Sequence, residues 1–293
     1  GGRMIEVRKI TTDWSEGLPS GLTWFFIGQP KSGKTTACSG WSEKGKEGVL
    51  IIDTDLGAEF VDKANIVTVT SLNAPTRPVM KDGKQVTIAG SPQFEVIPPD
   101  ERGFVYRSGK KQGKSMSVYS LIETFQWLSE EWDNLPYDTI VIDTLGQVNE
   151  WVEETVLLEL GISAMGEGQW GADWGKARRK NVDIIKRFQD LIKKKGGNLV
   201  LVSHSKTTVV TDGKAQLSPE LPRGLGYSLA AKADVIGYST AIKDDGSFNV
   251  SFEAYDERVV GSRLRPLSQK VLPFDYKAIV SEILNYKEKE EDE

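Results

Sequence analysis

The sequence has a single cysteine, Cys38, and a single histidine, His204. One thiol closes no disulfide within the chain, which excludes a disulfide-stapled scaffold and fits a reducing cytoplasm. No run of about 18 apolar residues is present, so no membrane span is expected. No signal peptide is visible at the start, and Gly1-Gly2-Arg3 ahead of Met4 reads as a leftover of cloning. There is no internal repeat. Nor is there an excess of positive charge, because the formal net charge is -5. That balance does not announce a nucleic-acid binder, but it is unevenly spread. No acid separates Glu101 from Glu123, where Arg102, Arg107, Lys110, Lys111 and Lys114 stand. Residues 176–195 are strongly basic and residues 288–293 almost wholly acidic. Such patches say more about partners than the sum does. With 39% hydrophobic residues among 293, the chain can bury a large core as one α/β domain, with or without insertions.

The stretch that organises the chain is Gly28-Gln29-Pro30-Lys31-Ser32-Gly33-Lys34-Thr35, followed by Thr36. It fits G-x-x-x-x-G-K-[ST], the phosphate-binding P-loop. The apolar run from Leu22 to Ile27 reads as a buried strand before it, and Thr35 to Lys44 reads as a helix after it. Glycines let the backbone wrap a phosphate, and inward amides supply donors. Lys34 is placed to reach the β- and γ-phosphates of ATP, and the Thr35 hydroxyl to hold Mg²⁺. The alternative is a glycine-rich turn that matches by chance.

Further apolar runs at 48–53, 66–70, 138–143 and 198–203 predict a mostly parallel sheet with helices on both faces. Residues 4–9 alternate and predict a short edge strand. Asp245-Gly246 between alternating segments predicts an antiparallel C-terminal edge hairpin. Proline and glycine recur over 73–115, which reads as a β-hairpin-like insertion built from Gln85–Ile88 and Gly103–Tyr106. Helices are predicted over 117–132, 148–160, 173–195, 224–232 and 275–286. One domain over 4–286 is expected, with an acidic, disordered tail at 287–293.

Strand 138–143 ends in Asp143, where a carboxylate can hold the metal's hydration shell at the carboxyl edge of the sheet. Hydrolysis also needs a group that positions water. Asp55, in Asp53-Thr54-Asp55, is the first candidate and Glu59 its competitor; both aspartates are also ordinary cap and turn residues. His204, at the tip of a core strand, reads as a polar sensor of the γ-phosphate or as a satisfied structural histidine. Trp170 and Trp174 lie in a glycine-rich stretch beside Lys176, Arg178, Arg179 and Lys180. Aromatics that stack and cations that track phosphates suit single-stranded nucleic acid. The plainer reading packs both tryptophans onto the domain and leaves the cations on a solvated helix face.

In this order the P-loop, Ile52-Asp53-Thr54-Asp55, Val141-Ile142-Asp143-Thr144 and Val202-Ser203-His204 resemble the RecA-like ATPase core. More closely, the chain resembles the phage RecA-like P-loop ATPases of the Sak single-strand-annealing group, with Gln169-Trp170-Gly171 to Trp174-Gly175-Lys176 adding to the likeness. The resemblance covers about residues 20–72 and 117–265. It implies an ATPase whose catalytic carboxylate falls on Asp55, where the family has Glu, and whose polar switch falls on His204, where Gln is usual. It implies single-stranded DNA binding through two loops, about 161–176 and 205–223, which adds Lys206 to the candidates. It implies a filament or ring with ATP between subunits and a basic residue acting in trans. Arg258 and Arg263 are the candidates for that role, with Lys243 and Arg265 as competitors. A single-strand-binding protein is a further expected partner, and the bacterial host cytoplasm the expected compartment. Two other readings stay open: a helicase-type motor, and a nucleotide-gated scaffold that hydrolyses slowly.

Overall fold

The computed structural model describes residues 4–209, 213, 215–240, 244–254 and 261–287. At its centre is one sheet of β1 (Leu22–Gly28), β2 (Val49–Asp53), β3 (Asn65–Ser71), β4 (Tyr119–Ser120), β5 (Thr139–Asp143), β6 (Asn198–Val209), β7 (Ala215–Pro219), β8 (Val235–Ser239), β9 (Asn249–Ser251), β10 (Gly261–Ser262) and β11 (Val271–Pro273). Their spatial order is β4-β3-β2-β5-β6-β1-β8-β9-β11, with β7 on β6 and β10 on β8. From β4 to β8 every neighbour is parallel; β9, β10, β11 and β7 add antiparallel edges. The expected α/β class and antiparallel C-terminal edge are both present.

Strand periodicity explains the two covered faces. In β1, Phe25 and Ile27 point to one core while Trp24 and Phe26 point to the other. Leu50 and Ile52 of β2 share the first core, and Val49 and Ile51 the second. The first core is roofed by α2 (Leu121–Glu131), α3 (Leu145–Leu160), α4 (Ala172–Lys195) and α5 (Arg223–Lys232), following the short α1 (Lys34–Cys38) in chain order. The second is closed by α1 and by α6 (Tyr276–Leu284). There Trp24, Phe26, Trp41, Phe274 and Tyr276 form an aromatic bed, with ring centroids 4.8–6.1 Å apart. This bed explains why α1 stops at Cys38 and does not run to Lys44. Trp41, fully buried, is drawn beneath the P-loop strand, and the chain turns at Gly40 to deliver it.

Residues 4–9 do not form the expected edge strand; they are exposed and in no ladder. Their alternation lacks a partner, and a lone strand has no ladder to stabilise it.

The excursion between β3 and β4 is richer than one hairpin. Thr76–Pro78 pairs with Phe94–Val96, Met80–Lys81 with Lys84–Gln85, and Thr87–Ile88 with Ser91–Pro92. The expected partners Gln85–Ile88 and Gly103–Tyr106 do not meet. Val105 bridges Ser115 instead. The root of the excursion is clamped by Arg102, whose side chain is 2% exposed and forks onto Glu123 at 2.7 and 2.8 Å. Glu123 also closes a capping box with Ser120 at the start of α2. The Arg102 guanidinium, above all, holds its carboxyl down at about 2.

One glycine fixes how α4 hands over to β6. A Cβ at Gly197 would lie 1.5 Å from the Asp138 carbonyl oxygen, which also accepts from the Asn198 amide at 3.0 Å. That obstacle is backbone and cannot swing aside. Gly197→Ala is therefore expected to cost about 3 kcal/mol, checked by urea unfolding; an unchanged midpoint would show that the turn relaxes freely.

Candidate nucleotide site

Strand register assembles the site. Asp143 is level with Asp53 on one side and Val202 on the other, and Gly28 is level with His204. Because β6 lies between β1 and β5, the His204 strand tip sits between the P-loop and the Asp143 strand. The carboxyl edge of the sheet thus gathers Gly28, Asp53, Asp143 and His204, which lie far apart in sequence.

The loop is tightly folded on itself. The Lys34 ammonium donates to the carbonyls of Gly28 at 2.9 Å and Gln29 at 2.6 Å, and to Ser32 Oγ at 3.2 Å. Lys31 and Gly33 have φ of +61° and +75°. A Cβ at Gly33 would meet the Phe248 ring at 2.3 Å, so glycine is needed for two reasons. Ser239 of β8 donates to the Ser32 carbonyl and pins the outer side. Thr36 is exposed at the far end of the motif. With only five residues, α1 carries little dipole; loop amides and Lys34 supply the positive field.

Thr35 Oγ1 donates to Asp143 Oδ2 at 2.6 Å. Asp143 is 4% exposed, and burial pushes its carboxyl up to about 6 despite that bond and the nearby Lys34. Asp53 is fully buried, and burial followed by the Asp55 charge raises it to about 7. Its oxygens receive the Gly57 and Ala58 amides at 3.1 and 3.2 Å, so it braces the following turn. Thr54 and Thr144 lock the β2 and β5 tips. The Thr54 hydroxyl accepts from the Thr144 amide at 2.7 Å and donates to the Thr144 carbonyl at 3.2 Å. Neither threonine was a sequence candidate, although Asp-Thr ending two core strands was a readable signal.

Residues 20–267 match the AAA domain family, whose members are ATPases of P-loop type. The chain belongs to that family. No curated protein matches it. The P-loop of an AAA domain binds nucleotide, and in this chain the Lys34 cradle lies within that loop.

Asp55 is exposed and lines a cavity of about 480 Å³ with Thr144, Gln147 and His204 among others. Glu59 is turned the other way, into an ion pair with Arg107. Of the two competing carboxylates, Asp55 is the one that faces the phosphate side. His204 Nδ1 is buried without a hydrogen-bond partner. Burial, then the nearby Lys34 charge, lower its pKa, so the imidazole is neutral at pH 7.

The same edge of the AAA domain carries the segments singled out for DNA. Trp170 is 102% exposed, in a one-turn helix before α4, with φ +57°. Trp174 belongs to the first turn of α4, within the helix expected over 173–195, and is half-exposed. Buried Asp173 fixes this loop by accepting from the amides of Gly166 at 2.6 Å, Gly168 at 3.2 Å and Trp174 at 2.9 Å. Arg178 and Arg179 are exposed, whereas Lys176 is paired with Glu159, as is Lys180. Lys206 donates to the Leu221 carbonyl at 2.6 Å. Arg263 lies at the opposite edge of the sheet, bound to Asp234 at 2.9 Å beside the start of β1. Arg258 and Lys243 lie outside the described residues. Among those residues no helix is long and apolar enough to cross a membrane.

Proposed function

We propose that this AAA domain is an ATP-dependent single-stranded-DNA-binding protein of strand annealing or recombination, of the Sak-like kind, acting as a filament or ring with ATP turned over between subunits. The observation that carries the reading is Trp170. A fully exposed indole is costly to leave in water. Here an internal carboxylate, Asp173, holds the loop that displays it, at the end of the sheet where the nucleotide binds. That is the arrangement a stacking platform requires. Exposed Arg178 and Arg179 on the next helical turn are suited to phosphates.

In the reaction, the P-loop amides and Lys34 clamp the phosphates, and Asp55 directs the attacking water from the cavity it shares with His204. Thr35 and Asp143 offer two hard oxygens in contact, which fits Mg²⁺ completed by phosphate oxygens and water. Bound there, Mg²⁺ supplies charge neutralisation to the phosphates. His204, neutral and unpartnered at Nδ1, senses the γ-phosphate, and β6 leads straight from it into the β6–β7 hairpin. That hairpin and the Trp170 loop are the two DNA-facing segments of this reading. A cytoplasmic site of action suits the lone buried thiol of Cys38.

ATP turnover with single-stranded DNA, duplex DNA or none tests the reading. Stimulation by single strands alone is expected, and Trp170→Ala should weaken single-strand affinity by about 1–3 kcal/mol without changing unstimulated turnover. Turnover blind to DNA favours the nucleotide-gated scaffold. The excursion presents exposed Met80, Ile88, Phe94 and Val96 for such a role.

A further inference from the structure

We propose that Arg107 is a positioning residue for the ATPase reaction, tying the turn that carries Asp55 to the excursion; this rests on the reading of Asp55 as the water-directing group. Arg107 lies 51 residues beyond Leu56, yet its Nη2 donates to the Leu56 carbonyl at 3.1 Å. The same guanidinium forms an ion pair with Glu59 and lies 5.1 Å from the centroid of the Phe60 ring. One side chain therefore holds three residues of a single turn.

That turn needs outside support. Leu56 has φ +64°, a conformation that a residue with a Cβ adopts only at a cost. Asp55, Gly57 and Phe60 are exposed, so packing holds little of the segment apart from buried Ala58. Asp53 braces it from inside through two amides. Arg107 braces it from outside and draws Glu59 away from the phosphate side. A planar fork can meet a carbonyl, a carboxylate and a ring face together, which an ammonium cannot. Arg107 comes from the short loop closed by Val105 and Ser115, whose other contacts run back through the excursion. Without it, the turn keeps the Asp53 brace and the local bond from the Gly57 amide to Asp55 Oδ1 at 3.1 Å but loses its tie to the excursion, and Asp55 moves with the turn to positions that no longer align water. Catalysis is sensitive to displacements of that order.

The test uses the full chain and compares Arg107→Ala, Arg107→Lys, Asp55→Asn and Arg107→Ala combined with Glu59→Gln. Steady-state ATP turnover gives kcat and KM, and titration with a fluorescent ATP analogue gives nucleotide affinity. Arg107→Ala is expected to lower kcat about tenfold with nucleotide affinity unchanged. Arg107→Lys should recover part of the loss, because it keeps the ion pair but not the second contact. Adding Glu59→Gln should cost nothing further, since both changes remove one shared contact. Unchanged kcat in Arg107→Ala overturns the proposal, as does a matching loss of nucleotide affinity or complete rescue by lysine. If Asp55→Asn abolishes turnover while Arg107→Ala is silent, only the positioning role falls. Full turnover in Asp55→Asn overturns the water-directing reading, and this proposal with it.

Discussion

Lys34→Ala should lower ATP turnover at least about a thousandfold, because it removes the positive charge that the P-loop itself brings to the phosphates. The ammonium spends its three donors on Gly28, Gln29 and Ser32. These are loop atoms, so the lysine needs only a short swing to exchange them for phosphate oxygens. It is 4% exposed, and in so dry a place charge acts more strongly than in water. Burial lowers the lysine's pKa, while Asp143 and Asp55 oppose that shift. In the alanine variant the Gly28 and Gln29 carbonyls lose a buried partner, so some loop order is lost as well. Circular dichroism and nucleotide titration separate the two effects: the fold should persist while nucleotide affinity drops. Turnover within tenfold of the parent would place the phosphate clamp elsewhere.

Asp143→Asn should do two opposite things. Turnover is expected to fall about a hundredfold or more, since a neutral amide holds a divalent cation poorly. The chain itself, studied without metal or nucleotide, should become more stable near neutral pH. The sign follows from proton counts. The Asp143 carboxyl is raised from 3.8 to about 6 by burial. Between those values the folded chain keeps a proton that the unfolded chain has released, so stability falls as pH rises through the window. Above about pH 6 the folded chain bears the full penalty of a buried charge, of order 3 kcal/mol, and asparagine removes it. Thr35 still finds an acceptor in the amide oxygen. Urea unfolding with a chelator at about pH 5 and pH 8 is the check. In the variant the slope between the two should shrink, leaving the part that belongs to Asp53, which is raised to about 7. A less stable variant at pH 8 would mean that the carboxylate earns its place by its hydrogen bond alone.

These outcomes describe a site arranged for function at a cost in stability. Asp53, Asp143 and Asp55 crowd one edge of the sheet, where the charges of Asp55 and Asp143 raise the cost of ionising Asp53 and that of Asp55 the cost of ionising Asp143.

The sequence by itself determined the class of fold and the phosphate clamp, because both are written in short-range pattern. Apolar runs of strand length with helices between them leave few alternatives to a parallel sheet covered on both faces. The P-loop is contiguous from Gly28 to Thr35, and its glycines, lysine and threonine act where they stand. The end of β5 in Asp143 was legible for the same reason. Tertiary structure alone decided what depends on strand order and on long-range contact. That β6 lies between β1 and β5, bringing His204 level with Gly28, is a matter of topology and not of spacing. That Glu59 is paired with Arg107 while Asp55 lines the cavity with His204 is likewise invisible in the sequence, because Arg107 reaches in from a segment that reads as a simple insertion. Trp170 and Trp174 read alike in sequence, yet Asp173 displays the first while the second is held on α4. The ion pair of Arg263 with Asp234 is equally a product of the fold. In each case the deciding group is distant in the chain, and its effect falls off over a few ångströms, so only folding brings it into range.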